Sequence, residues 1–197
     1  FEHNAPGLVG VIDIDTQTIE KVYTLKGKNP ADIVYSEQRQ ALFVALQAPY
    51  DFVMGNFDLS TDFGGIEIVP LDGSESTLVA DEDLGGYIER LAVGNNAVFA
   101  VASQFDPVTF FFSSSILKMP SSTQEASEAT TFIGNNSDVR EIAVDGKNQL
   151  WVSRRVIKEG DGSASDPQID VFNTDTGESL TASMKPTVPV TSITFSY

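Results

Sequence analysis

Oxygen ligands are the most concentrated chemistry in this sequence. Two acidic stretches, one with Asp51, Asp58 and Asp62 and one with Glu159, Asp161 and Asp166, bring carboxylates close together along the chain. Hard divalent cations such as Ca²⁺ take roughly six to eight oxygen ligands. Asp58, Asp62, Glu159, Asp161 and Asp166 are therefore the candidate metal ligands, and Ca²⁺ is the one cofactor in view. Glu159-Gly-Asp-Gly-Ser163 carries part of a calcium-loop pattern, but it lacks the full D-x-[DN]-x-[DN]-G spacing and its closing Glu. A solvated loop explains the same residues without a metal. Thiolate nucleophiles, disulfides and Cys-type zinc sites are excluded, because the chain has no cysteine. His3 is the only histidine, so a Ser-His triad would have to be built on a residue near the start of the sequence. No catalytic residue is assigned.

Aromatic residues crowd the same regions: Tyr50, Phe52, Phe57 and Phe63, then Phe105 and the run Phe110-Phe111-Phe112. Aromatic side chains anchor partners inside a polar rim, and they equally cap a core. Three consecutive phenylalanines in a strand point to both of its faces. Tyr50, Phe52, Phe57, Phe63, Phe110 and Phe111 are the candidate ligand- or partner-binding residues. Arg90 and Arg140 join them, since each stands with a glutamate (Glu89, Glu141) at the start of a recurring strand where Asp32 also falls. Charges so placed orient a polar ligand or pair with one another.

The chain that must position these groups has 197 residues, 41% of them hydrophobic, which is enough apolar material for one domain with a substantial core. Its formal net charge of −16 repels phosphate backbones and anionic lipid. No nucleic-acid partner and no membrane insertion are expected, as no apolar run approaches the roughly 20 residues a helical span needs. The sequence starts at Phe1 and shows no signal peptide, so a processed, truncated or fragmentary chain is expected, with a secreted, periplasmic or cell-surface location.

A segment of about fifty residues recurs. Ala31-Asp-Ile-Val-Tyr-Ser36, Glu89-Arg-Leu-Ala-Val-Gly94, Arg140-Glu-Ile-Ala-Val-Asp145 and Thr191-Ser-Ile-Thr-Phe-Ser196 start 58, 51 and 51 residues apart. Large apolar residues at the third and fifth positions alternate with period two, the mark of a strand. Polar turns such as Gly94-Asn-Asn96 and Asp145-Gly-Lys-Asn148 follow, with residues suited to the positive φ of tight hairpins. Then come a second apolar strand (Leu42–Leu46, Val98–Ala102, Leu150–Ser153) and a third (Val11–Asp15, Ile66–Val69, Ile116–Met119, Ile169–Phe172). A more polar fourth strand completes each unit (Ile19–Leu25, Thr77–Ala80, Ala129–Ile133, Ser179–Met184). No stretch sustains a helical period, so the fold class is all-β. The connections between second and third strands, about 47–64, 104–114 and 154–167, exceed the usual length of unstructured loops, and their common face is the candidate binding surface.

Declining hydrophobicity from first to fourth strand fits a blade with a buried inner strand and a polar outer edge. The segment Val9-Gly-Val-Ile-Asp-Ile-Asp-Thr-Gln-Thr-Ile19, with Gly27-Lys-Asn-Pro30 leading into the next strand, resembles repeats of the YVTN and surface-layer type of β-propeller. The resemblance implies a β-propeller-like array of four-stranded antiparallel blades. Its pieces are two outer strands (8–26), blades at 30–80, 87–133 and 138–185, and an inner strand at 189–197. These pieces lack one strand for a closed ring, so an incomplete ring is expected, with a protein partner or a remaining propeller segment supplying more strands. Propellers serve many roles. The expected function is a non-catalytic binding or scaffold module. The alternative is part of a metal-assisted hydrolase or lactonase-like enzyme, with Asp32, Glu89, Glu141 and Asn29 at the channel mouth.

Overall fold

The structure is a computed structural model, and it describes residues 5–61, 63–106, 111–121, 129–156 and 166–195. Across these residues the protein is all-β. Two strands, β1 (Leu8–Asp13) and β2 (Thr18–Thr24), form an antiparallel hairpin. Four more form a sheet in the order β3 (Pro30–Ser36), β4 (Ala41–Leu46), β7 (Gly65–Pro70), β8 (Thr77–Ala80). Between β4 and β7 lies a small hairpin of β5 (Tyr50–Asp51) and β6 (Asn56–Phe57). One helical turn, α1 (Asp81–Leu84), leads out of β8 and ends at Gly85 in the left-handed conformation (φ 76°), which costs a residue without a Cβ little.

A six-strand antiparallel order follows: β9 (Tyr87–Val93), β10 (Ala97–Asp106), β11 (Phe111–Pro120), β12 (Thr130–Val144), β13 (Gln149–Val156) and β14 (Gln168–Asn173). The fifteen-residue β12 makes this possible. Its first half pairs with β11 and its second half with β13. Two strands expected to be separate, Ala129–Ile133 and Arg140–Val144, are thus one continuous strand. The first half closes the pairing β9–β10–β11–β12, and the second half opens the pairing β12–β13–β14. The expected outer strand Ser179–Met184 contributes only two isolated bridges, Phe172↔Ser179 and Ile169↔Met184. The expected inner strand near Thr191 forms no strand among the described residues up to 195.

Strand alternation explains the packing. Side chains of successive strand residues point to opposite faces, so an apolar run builds two interfaces at once. In β10, Val98, Ala100 and Ala102 join Phe43, Ala45, Ile66 and Ile68 of the preceding sheet. Ala97, Phe99 and Val101 join Val139, Ile142, Leu150 and Val152 of β12 and β13. β4 repeats the arrangement: Phe43 and Ala45 face β9 and β10, while Val44 and Leu46 meet Val9, Tyr23 and Leu25 of the first hairpin. The pairings therefore stack in series with a core at each junction, and β9 lies beside both β3 and β12.

Candidate functional site

The β4–β7 connection gathers several of the expected residues. Tyr50 and Phe57 are partners across the β5–β6 hairpin, with ring centroids 5.2 Å apart and nearly perpendicular planes. Phe52, at the hairpin tip, sets its ring edge-on to Tyr50 at 5.1 Å and is 79% exposed. Asp51 shapes that tip: its Oδ1 accepts from the backbone N–H of Val53 at 2.7 Å and of Met54 at 3.1 Å, closing a side-chain-to-backbone turn. Gly55 completes the turn at φ 68°.

Behind the hairpin the rings continue inward. Phe57 stacks on the buried Tyr87 at 3.9 Å, Tyr87 meets Phe112 at 6.1 Å, and Phe112 meets Phe105 at 5.1 Å. The Arg140 guanidinium lies 5.9 Å from the Phe112 ring, within the outer range of a cation–π contact. Phe63 serves a different contact: Lys28 Nζ sits 3.6 Å over its ring, and the Phe63 carbonyl accepts from Lys28 N at 3.0 Å. Phe111 begins β11, and Phe110 lies outside the described residues. The expected long loop at 104–114 is mostly strand, since β10–β11 pairing runs out to Asp106↔Phe111. Its dense aromatic sequence favours paired, half-buried strand over loop.

An open groove of about 1100 Å³ runs along the outer side of this hairpin. Tyr50, Phe52 and Phe57 of the hairpin line it together with residues 5–8, 29–31 and 47–49. None of the lining residues carries a charge, although the chain as a whole stands at −16. Asn29 adopts φ 52° and donates from Nδ2 to the Gln47 carbonyl at 3.4 Å, while its Oδ1 has no hydrogen-bond partner.

The charged strand starts are largely engaged with one another and with backbone. Asp138, almost wholly buried, accepts from Arg155 at 2.6 Å and from Arg140 at 2.8 Å. Arg90 Nε lies 3.7 Å from Glu141 Oε2, and Asp32 Oδ2 accepts from the Leu91 N–H at 2.8 Å. Burial raises the Glu89 carboxyl against the lowering influence of Arg90, and raises Glu141 against its hydrogen bond from the Ile142 N–H. Among the described residues no group of three or more His, Cys, Asp or Glu side chains is placed to hold a metal. Asp58 turns its Oδ1 to Ser60, accepting from N–H and hydroxyl at 3.0 and 2.6 Å. Asp166 is exposed in a bend, and Asp62, Glu159 and Asp161 lie outside the described residues.

Asp81 escaped the sequence reading. It opens α1, is fully buried, and neither carboxylate oxygen has a hydrogen-bond partner. It presses against Gly64, where any Cβ would overlap its Oδ2, and its own N–H donates to the Gly64 carbonyl at 3.3 Å. Burial, with smaller contributions from the Asp58 and Glu82 charges, pushes its carboxyl up to about 7. The signal available in the sequence was an aspartate four residues before Gly85-Gly86, which reads equally well as a helix start. Tyr87 was missed because a tyrosine opening an apolar strand reads as ordinary core. No family model and no curated protein matches the chain.

Proposed function

We propose that this chain is a non-catalytic binding module, part of a β-propeller of the YVTN and surface-layer kind, acting outside the cytoplasm. Its contact surface is the groove beside the β5–β6 hairpin. The partner is another protein or a remaining segment of the same propeller. One observation carries the reading: Tyr50 and Phe52 stand at the rim of an uncharged groove in a strongly acidic chain, with Phe52 largely in water. Large exposed apolar groups in a concave, uncharged setting mark binding surfaces, and aromatic anchors supply most of the affinity of such contacts. The serial stacking of antiparallel pairings with a core at each junction supports the propeller part of the proposal.

Selection of displayed peptides on the immobilised full chain tests the reading. Enriched peptides should lose binding to Phe52→Ala. Enrichment that is absent, or indifferent to that substitution, would sink it. The enzyme alternative draws on the raised Glu89 and Glu141 carboxyls near Asp32, since perturbed carboxyls concentrate at catalytic sites. A rise in Tm on titration with Ca²⁺ or Mn²⁺, abolished by Glu141→Gln, would favour it.

A further inference from the structure

A second cavity lies at the opposite end of β3 from the groove. The groove takes residues 29–31, where β3 begins. The second cavity, of about 530 Å³, takes residues 35–38 where β3 ends and residues 93–95 where β9 ends. That volume suits a small molecule, since ligand pockets span about 300–1,000 Å³. Its walls are fixed from behind. Gln38 Oε1 accepts from the hydroxyl of the fully buried Ser121, whose N–H donates to the Asn96 carbonyl at 3.1 Å. The Asn95 N–H donates to Asn148 Oδ1 at 2.9 Å. The turn after β3 closes on itself, with Ser36 Oγ accepting from the Arg39 N–H at 3.3 Å.

The cavity is particular to this junction. Tyr35 holds the place that Val93 and Val144 hold in the next two units, and it is 41% exposed. Where the β9–β10 and β12–β13 turns meet, Asn148 packs against Gly94 instead, so that a Cβ on Gly94 would come within 2.8 Å of its Oδ1. Four polar groups of the lining are left over. The Tyr35 hydroxyl, the Glu37 carboxylate, Gln38 Nε2 and the Asn95 side-chain amide make no hydrogen bond to another described residue.

These groups define the chemistry of the occupant. The tyrosine hydroxyl and the asparagine amide both donate and accept, the carboxylate only accepts, and Gln38, its oxygen taken by Ser121, has N–H to give. Glu37 is the one charged residue of the lining. Arg39, two residues on, sets its guanidinium 5.6 Å from the Phe43 ring, so no lining residue offers a cation to an anionic ligand. An alkylammonium would answer Glu37 and leave the amide N–H groups of Gln38 and Asn95 without acceptors. A neutral sugar answers all four groups. Each of its hydroxyls donates and accepts, and its C–H face lies against an aromatic ring, whose face is negative.

We propose that the cavity between the ends of β3 and β9 is a carbohydrate site. Tyr35 covers the C–H face of a neutral sugar, Glu37 and Asn95 hold its hydroxyls, and Gln38 donates to a further oxygen. The site is separate from the groove and stands without the binding reading given above.

The probes are the methyl glycosides of glucose, galactose, mannose and N-acetylglucosamine, each titrated into the isotope-labelled full chain, with tetramethylammonium chloride as counterpart. At least one glycoside should shift the Tyr35 ring and Asn95 side-chain amide resonances saturably, and tetramethylammonium should not. Glu37 and Asn95 are exposed, so their replacement should leave Tm unchanged. Glu37→Ala should weaken the bound glycoside by about tenfold or more, and Asn95→Ala by about threefold or more. Four results overturn the proposal: no glycoside binds, binding shifts other residues and not these, affinity is unchanged in both variants, or tetramethylammonium produces the same shifts. Should either variant unfold, the resonance map of the unaltered chain decides alone.

Discussion

Asp81 is a buried acid whose burial the nearby backbone N–H groups of Glu82 and of Asp81 itself offset only in part, and its cost depends on its charge. Its carboxyl sits near 7 in the folded chain against 3.8 ordinarily. Below 3.8 it is protonated in both states and carries no penalty. As pH rises from there through about 7 the unfolded chain ionises first, so the folded state loses stability progressively and the full loss is present above 7. A shift of that size corresponds to at most about 4 kcal/mol. Asp81→Asn should therefore raise Tm at pH 8 relative to the unaltered chain. Its Tm should also lack the wild-type decline between pH 4 and about 7, as thermal melts across that range would record. Asp138, by contrast, is paired, its Oδ2 shared by Arg140 and Arg155. Asp138→Ala strands two guanidiniums beside a buried gap. The loss should be about 2 kcal/mol by urea denaturation, less than for a fully buried pair because both arginines reach water.

Among the elements, β10 is held on every side. It has a sheet partner on either edge, β9 and β11, and apolar side chains in two cores. Phe99→Ala empties part of the second core and should cost about 3–5 kcal/mol. The same substitution at the exposed Phe52 should change stability by less than about 0.5 kcal/mol. The start of β7 is equally demanding in another way. Gly65 stands at φ 129°, and a Cβ there would overlap the Val79 carbonyl oxygen of β8. Gly65→Ala must push the two strands apart, with an expected loss of about 2 kcal/mol or more in the same assay.

For the whole molecule, charge sets the response to salt. Twenty-eight acidic residues against twelve basic ones repel one another most strongly in the compact state. Raising ionic strength from about 0.01 to 0.1 M shortens the screening length roughly threefold, so Tm should rise over that range in sodium chloride. A Tm that falls instead would mean that attractive pairs such as Arg154–Asp170, at 2.7 Å, outweigh the net repulsion. The exposed apolar side chains of β1 and β2 stand at one end of the series, and at the other Trp151 meets Phe195 at 5.6 Å on the outer face of the last sheet.

The all-β class and most of the strand positions before Asn173 are written in local patterns. Alternation with period two and turn residues such as Asn148, at φ 59°, depend only on neighbours along the chain. The aromatic cluster at Tyr50, Phe52 and Phe57 was visible for the same reason, as a run of ring residues where a connection was due. The fusion of two expected strands into β12 was not visible, because pairing on both sides of one strand is decided by partners far away in sequence. Nor was the identity of Asp81 as an unpartnered buried acid, since burial is a property of what Gly64 and the β4–β7 connection bring to it.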